Sequence, residues 1–397
     1  MIEHLLFSQF FTVLAVAGGL AQWLLVCWLG APLGFVAPPW LHVLAPATLA
    51  LANRRAARAV EGGPSRLSGS SGRGLLASAF AAIMGAGTLG VCTVAWIALA
   101  SLGVLPADAG AAAALATPAF DPGFRIVSTL AVLLAGGAVA HGYLRGQHAL
   151  GVTELTVPLD NLPAPLVGLR IAHVSDLHVG TLADRAALRD ALARVVALDP
   201  DVIVVTGDLV DDRAADLDAW MPELAVLKAP HGVFTILGNH DRHVGTARVI
   251  DALRRHTDWR LLRDEVATIT IDGARLHLAG LEDRPRSQAA DGLPALLAEV
   301  PQGEPSILLA HRPTLFPAAA EAGVRLMLCG HTHGGQIAVP GLPRLNPARI
   351  LMTGYDAGTF RRDGAVLHVS RGLGVSGQPL RVAVPREITI VTLAATA

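Results

Sequence analysis

Gly330-His331-Thr332-His333-Gly334-Gly335 is the stretch on which the reading of this chain turns. Two imidazoles one residue apart, followed by paired glycines that let backbone come close to a site, are hard to account for by packing alone. The stretch reads as a metal-ligand loop. The plain alternative is a turn whose histidines are satisfied by backbone groups, and the surrounding sequence decides between the two.

From Gly151 onward, short apolar runs alternate with helical patterns. Strands are expected at Leu169–Val174, Val202–Thr206, Val233–Leu237, Leu276–Ala279, Ile307–Ala310, Leu326–Leu328, Ala365–Val369 and Ile388–Leu393. Helices fit Asp184–Leu198, Leu217–Leu227, Gly245–Arg255 and Thr314–Ala322. The alternation predicts an α/β architecture with buried central strands. Polar residues then fall at strand ends: Asp176 and His178 after the first strand, Asp208 after the second, Asn239 and His240 after the third. His311 follows the run led by Ser306, and His331 with His333 follows the run led by Leu326. One Asp or His at a strand end is ordinarily a turn former or a cap. Five strands ending this way are another matter, because ligands of open α/β sheets bind at the carboxyl ends of strands, where distant residues converge.

Composition points to a second kind of region. The chain has 397 residues, room for two or three domains, and a formal charge of -1, which gives no reason to expect a nucleic-acid partner. Hydrophobic residues make up 52%, charged residues 16%, and mean hydropathy is +0.49, values that fit a membrane segment joined to a globular domain. Cys27, Cys92 and Cys329 offer no disulfide framework, in keeping with a reducing compartment.

Most of the apolar excess lies in residues 1–150, read as an all-α transmembrane anchor of about four helices ahead of a catalytic domain at 151–397. Leu5–Leu29, Leu75–Leu105 and Phe124–Leu144 are each long enough to cross a hydrocarbon core of about 30 Å. Leu33–Ala52 contains Pro38, Pro39 and Pro46 and is read either as a span or as a re-entrant or interfacial helix. A cleaved signal peptide fits the first run poorly. Arg54, Arg55, Arg58, Arg66 and Arg73 oppose only Glu61 in a loop that the positive-inside rule puts in the cytoplasm; Asp108 and Asp121 suit the other side. The expectation is a multi-pass protein of the inner (plasma) membrane, its catalytic domain cytoplasmic.

The ordered set Asp176-Leu177-His178, Gly207-Asp208, Gly238-Asn239-His240-Asp241, His311 and Gly330-His331-Thr332-His333 resembles the signature of the calcineurin-like metallophosphoesterases, D-x-H, G-D, G-N-H-D/E, H and G-H-x-H. The flanks, Val174-Ser175 before Asp176 and Gly334-Gly335-Gln336 after His333, are similar to a membrane-associated bacterial branch of phosphodiesterases and UDP-diacylglucosamine pyrophosphatase-like hydrolases. So is the tail Arg371-Gly372-Leu373-Gly374 with Arg381 and Pro385. That branch commonly has acidic residues near Arg325 and where this chain has Thr314, and more often serine at Cys329; none of the three is a ligand.

The resemblance implies a four-layer αββα sandwich with two divalent metal ions. Asp176, His178, Asp208 and His333 would hold one, and Asp208, Asn239, His311 and His331 the other, with Asp208 shared. Such ligands suit manganese, iron or zinc. Two cations about 3.5 to 4 Å apart can share one hydroxide and clamp a phosphoryl oxygen. The same resemblance makes His240 the group that protonates the leaving oxygen or steadies the phosphoryl group. Asp241 either orients His240 or caps the following helix.

The reaction expected is hydrolysis of a phosphodiester, phosphomonoester or pyrophosphate bond by a metal-bridging hydroxide, with no nucleophilic side chain. A pocket tethered to a membrane meets membrane lipid and phosphorylated, lipid-linked substrates at high local concentration, and a UDP-linked diacylated sugar is what the resemblance implies. Arg344, Arg349, Arg361, Arg362, Arg371 and Arg381 could pair with phosphates, although most are expected to be solvated charges, since Lys228 is the only lysine. The alternatives are a general phosphodiesterase or phosphatase of soluble substrates, and a non-catalytic metal-binding membrane scaffold or sensor.

Overall fold

The computed structural model describes residues 2–30, 37–61, 70–101, 122–180, 183–211, 216–285, 288 and 290–396. The chain divides into two compact units, Met1–Leu144 and Arg145–Ala397.

The first unit contains four long helices among the described residues: α1 (Ile2–Gly30), α2 (Leu41–Glu61), α3 (Ser70–Ser101) and α4 (Pro122–Leu144). Gly19 lets α1 lie against α2, since a Cβ there would stand 2.6 Å from the carbonyl of Pro46. The buried Asn53 amide of α2 donates to Gln22 Oε1 on α1 at 3.1 Å, which satisfies a polar group in an apolar setting. Trp28, Trp96 and Phe124 meet edge to face among α1, α3 and α4.

Two helical segments among the described residues, Ser78–Trp96 and Pro122–His148, are long and apolar enough to cross a membrane, and α1 adds a shorter apolar run, Ala15–Leu29. The second apolar run differs from the expectation. Its helix starts only at Leu41, after Pro38 and Pro39, carries Pro46 inside, and continues through Arg54, Arg55 and Arg58, so these three belong to a helix and not to a loop. Arg66, Asp108 and Asp121 lie outside the described residues.

The second unit is built on two six-stranded sheets. The first has the order β1 (Leu150–Leu159), β12 (Arg386–Ala395), β2 (Arg170–Val174), β3 (Val202–Thr206), β4 (Val233–Ile236), β5 (Arg260–Leu261). The second runs β10 (Gly358–Arg362), β11 (Ala365–Val369), β9 (Leu326–Cys329), β8 (Ser306–Leu309), β7 (Ala274–Gly280), β6 (Glu265–Ile271). The pairs β2–β3, β3–β4 and β8–β9 are parallel, so their carboxyl ends point the same way.

The period of two along each strand assigns side chains to layers. In β3, Val202 and Val204 enter the core between the sheets, while Ile203 and Val205 face the helices. In β8 and β9, Ile307, Leu309, Leu326 and Leu328 enter the same inter-sheet core, and Leu308 and Met327 face outward. Both faces are covered, which is why these strands read as unbroken apolar runs. Helices α5 (Arg185–Ala197), α6 (Leu217–Leu224) and α7 (Asn239–His256) cover the first sheet through Leu192, Met221 and Leu253. Helices α8 (Leu293–Ala298) and α9 (Phe316–Glu321) cover the second through Leu296 and Phe316, and a short α10 (Pro347–Leu351) follows. The order of layers is therefore α, β, β, α. Each fully buried Leu, Ile or Val contributes roughly 1.5 to 3 kcal/mol.

Candidate metal centre

Each expected ligand leaves a strand at its carboxyl end. Asp176 and His178 follow β2, Asp208 follows β3, Asn239 follows β4, His311 follows β8, and His331 and His333 follow β9. The first four come from one sheet and the histidines 311, 331 and 333 from the other. Five of the seven hold a left-handed backbone: Asp176 at φ 53°, His178 at 44°, Asp208 at 52°, His331 at 74° and His333 at 52°. That conformation costs a non-glycine residue roughly 1 to 2 kcal/mol. Hydrogen bonds hold it in place: Asp176 N–H donates to Gly207 O at 3.0 Å, His178 N–H to Asp208 O at 3.0 Å, and His331 N–H to Asp176 Oδ1 at 3.1 Å.

Glycines let these turns interlock. A Cβ on Gly330 would fall 2.0 Å from Ser175 Oγ and 2.1 Å from Asp176 Oδ2, and one on Gly238 would fall 2.1 Å from Asp208 Oδ1. Neither position can carry a side chain.

The donors converge in two overlapping groups. Asp176 Oδ1 lies 3.4 Å from His333 Nε2 and 3.8 Å from His178 Nε2, and the two imidazole nitrogens are 2.9 Å apart. Asp208 Oδ2 lies 3.6 Å from His178 Nε2 and 3.2 Å from His311 Nε2, so it faces both groups. His311 Nε2 is also 3.2 Å from Asn239 Oδ1 and 3.2 Å from His331 Nδ1. Three clusters, Asp176 with His178 and His333, His178 with Asp208 and His240, and Asp208 with His311 and His331, each bring their ligand atoms within 4.8 Å.

The electrostatics fit cations. Asp176 and Asp208 are buried, and among the described residues only imidazoles lie within ion-pair distance of them. Burial pushes the Asp176 carboxyl up. Burial opposes charge on Asp208 too, but His311 and His240 outweigh it and hold that carboxyl well below its usual range. Burial pushes His333 and His331 well below the ordinary imidazole value, helped by His178 beside the first and His311 beside the second. Neutral imidazoles and ionised carboxylates are the forms that bind metal, and Asp208, His331 and His333 are shifted toward them. His311 is the exception: burial opposes its charge, but Asp208 outweighs it and raises its pKa to about 10, so this ring must give up a proton to ligate a cation. An oxygen and nitrogen donor set without sulfur suits manganese, iron or zinc, so the residues present fit a pair of such ions.

His240 sits on the rim, its side chain 27% exposed, with Nδ1 3.2 Å from Asp211 Oδ1. Burial works against its charge, but Asp208 and Asp211 raise its pKa to about 9. Asp211 Oδ1 also holds His178 Nδ1 at 3.0 Å. Asp211 is not among the residues expected from the sequence, although it stands three residues after Asp208 in Gly207-Asp208-Leu209-Val210-Asp211. Asp241, expected to orient His240 or to cap a helix, caps. Its Oδ2 accepts from Gly238 N–H at 2.8 Å, at the start of α7, and its Oδ1 from Val210 N–H at 3.0 Å, in the loop after β3, so both oxygens serve backbone. The carboxylate in contact with His240 is therefore Asp211.

Of the arginines singled out from the sequence, three pair with acids, and Arg381 reaches the site itself, its Nη2 3.3 Å from His333 Nδ1. Arg371 pairs with Glu387 at 2.9 Å, Arg349 with Asp356 at 2.9 Å, and Arg362 with Glu321 at 3.1 Å. Arg381 is buried, and its Nη2 donates to the carbonyls of Arg371 and Gly374, each at 2.7 Å. The loop it braces holds the first ligand strand, because Leu373 N–H donates to Ser175 O at 2.9 Å.

Comparison with known proteins agrees with this geometry. The family model for calcineurin-like phosphoesterases matches residues 169–335. A metallophosphoesterase of Bacillus subtilis, YkuE, is 31% identical over 268 residues, 66% of this chain and 92% of that protein. One from Aquifex aeolicus is 33% identical over 271 residues, 66% of this chain and 97% of that protein. A bovine protein described as a transmembrane protein with metallophosphoesterase domain is 31% identical over 280 residues, 67% of this chain but 62% of that protein, so this chain spans less than two thirds of its length. With the match extending along nearly all of two bacterial metallophosphoesterases, the chain belongs to the calcineurin-like family, metal-dependent phosphoesterases with a dinuclear divalent site.

Proposed function

We propose that the chain is a membrane-anchored phosphoesterase whose substrate is a phosphorylated lipid or lipid-linked compound, such as a UDP-linked diacylated sugar. The single observation that carries the hydrolytic reading is the shared position of Asp208, whose Oδ2 faces His178 at 3.6 Å and His311 at 3.2 Å and so stands between the two donor groups. Asp176, His178, Asp208 and His333 would hold one cation, and Asp208, Asn239, His311 and His331 the other. When bound, such a pair supplies Lewis acidity, lowering the pKa of water toward neutrality and offsetting charge on phosphoryl oxygens.

The remaining work falls to this chain's own groups. Asp211 fixes His240 through Nδ1, so the other ring nitrogen is left for the substrate. With a pKa of about 9 in the metal-free protein, His240 keeps its proton at neutral pH and can give it to the leaving oxygen. The helix that begins at Asn239 donates His240 N–H to Asp208 Oδ1 at 2.8 Å, which fixes the carboxylate's orientation.

Anchoring is supported by the two apolar helical segments long enough to cross a membrane and by the exposed apolar side chains of Val91, Val94 and Leu134. The description of the bovine relative as a transmembrane protein points the same way. We infer about four spans with residues 151–397 on the cytoplasmic side, from the cluster Arg54, Arg55, Arg58, Arg66 and Arg73, of which the first three lie in the last turns of the second helix and Arg73 in the first turn of the third. A reporter fused after Ala397 that is active only outside the cytoplasm would overturn that orientation. The function is tested with full-length protein in detergent: metal content, then manganese-dependent hydrolysis of soluble diesters and of lipid pyrophosphates. Asp208→Asn should abolish both, and cells carrying that variant should accumulate the natural substrate; native turnover in Asp208→Asn would sink the reading.

A further inference from the structure

Two arginines beside the metal centre have no part in the chemistry described so far. Arg312 follows the ligand His311, and Arg242 lies two residues after His240. Both turn to Asp283, just past β7, whose side chain is only 4% exposed. Arg312 Nε donates to Asp283 Oδ1 at 2.7 Å, and Nη2 is 3.4 Å from Oδ2. Its Nη1 lies 3.3 Å from Nε2 of His331, the ring whose Nδ1 faces His311. One imidazole thus separates this guanidinium from a ligand atom. Arg242 Nη1 is 3.8 Å from Asp283 Oδ2 and 3.4 Å from its carbonyl oxygen, and its side chain is 32% exposed.

The charges do not cancel. Among the described residues two guanidinium groups share one carboxylate, and two nearby acids are engaged elsewhere: Glu282 with Arg263, and Asp264 with Arg284. A surplus positive charge remains at the edge of the site. Arg312 is held in one orientation by Asp283, so little further freedom is lost when it meets a ligand, and its donor fork is only partly committed. A planar fork with surplus charge is the arrangement that recognises phosphate.

We propose that Arg312 and Arg242, fixed on Asp283, form a second anion subsite that selects substrates carrying a further phosphate next to the scissile one, so that phosphoric anhydrides are preferred over simple diesters. This rests on the hydrolytic reading above and names its substrate class. In the reaction, water adds its oxygen to the scissile phosphorus. The bond from that phosphorus to the bridging oxygen breaks, and its electron pair leaves on the second phosphate. His240 gives that group a proton and regains one from water, while the two arginines take up the phosphate's charge.

The test uses the full-length, manganese-loaded protein and two probes, orthophosphate and the non-hydrolysable imidodiphosphate. Each is measured calorimetrically and as an inhibitor of bis(4-nitrophenyl) phosphate hydrolysis, at fixed free manganese. The native protein should bind imidodiphosphate at least about ten-fold tighter than orthophosphate, and Arg312→Gln should remove roughly ten-fold or more of that preference, as loss of charged hydrogen bonds does. Arg242→Gln, at the more exposed position, should remove about three-fold, and Arg312→Lys, which keeps charge without the fork, should fall between. Equal loss for both probes, or an unchanged preference in Arg242→Gln and Arg312→Lys, overturns the subsite. Should the diester not be hydrolysed while the arginine-dependent preference persists, the catalytic reading fails and the subsite stands. Turnover with no such preference overturns the subsite and leaves the catalytic reading in place.

Discussion

Asp211→Asn keeps the shape of a side chain and removes the charge on which two histidines depend. One oxygen, Oδ1, holds Nδ1 of His178 at 3.0 Å and Nδ1 of His240 at 3.2 Å. Burial opposes ionisation of Asp211, yet hydrogen bonds from His178 and His240, and their charge, pull its carboxyl from 3.8 down to about 2. That difference corresponds to on the order of 2 kcal/mol. Since the folded value lies below the unfolded one, the contribution is present above about pH 4 and is lost as pH falls through about 2. Removing the outer partner of a ligating histidine costs roughly 10- to 100-fold in metal affinity or activity. The Asp211→Asn variant should therefore bind manganese at least about ten-fold more weakly and, at saturating manganese, show a further fall in kcat because His240 has lost its orientation. The assays are calorimetric manganese titration, steady-state hydrolysis of a chromogenic diester, and melting of the metal-free protein between about pH 2 and pH 7. In the last, the acid-side fall in Tm should be shallower for the variant. Native manganese affinity together with native kcat would refute the assignment of Asp211.

Three further outcomes follow from the same geometry. His240→Ala should lower kcat by roughly 10²- to 10⁴-fold with both metals retained, read from metal content and turnover on one sample. Gly330→Ala forces a methyl against Ser175 Oγ and Asp176 Oδ2, and should lower stability by about 1 to 3 kcal/mol and reduce metal content, measured by denaturant unfolding and elemental analysis. Loading with zinc should lower the pKa of His240 from its metal-free value of about 9, because added cations oppose the imidazolium; an NMR titration showing no change would contradict its placement beside the metals.

The fold is most legible in the sequence where chemistry and burial coincide. Strands β2, β3, β8, β9 and β11 are covered on both faces, so their apolar runs stand out, and the ligands mark their ends. Strand β10, Gly358–Arg362, gives no such signal, because an edge strand with two arginines shows no apolar run. Strand β1, Leu150–Leu159, alternates Thr and Glu with apolar residues and buries one side only near its end, so the shift out of the apolar N-terminal region masks it. Helix α7 begins at Asn239 and not at Gly245, since Gly245, at φ 123°, bends the backbone where two helical segments meet. Asp241 closes one motif and Asp211 lies just past another, and only the fold reveals which one turns to His240. The arginines are hard to rank from sequence for the same reason: Arg312, after β8, and Arg242, in α7, meet on Asp283 with Arg312 beside His331, whereas Arg371 and Arg349 are tied to Glu387 and Asp356.

The division of the ligands between sheets has a consequence for the whole domain. Ions held as proposed, by Asp176, His178, Asp208 and Asn239 on one side and by three histidines on the other, would act as rivets through the sandwich. Any sliding of one layer over its neighbour must first tear them out. At a free metal concentration about 100 times the dissociation constant, a single such rivet adds roughly 2.7 kcal/mol against unfolding. Starving the protein of metal would then loosen its scaffold along with its catalyst, so that its lifetime and its turnover would answer to the same supply.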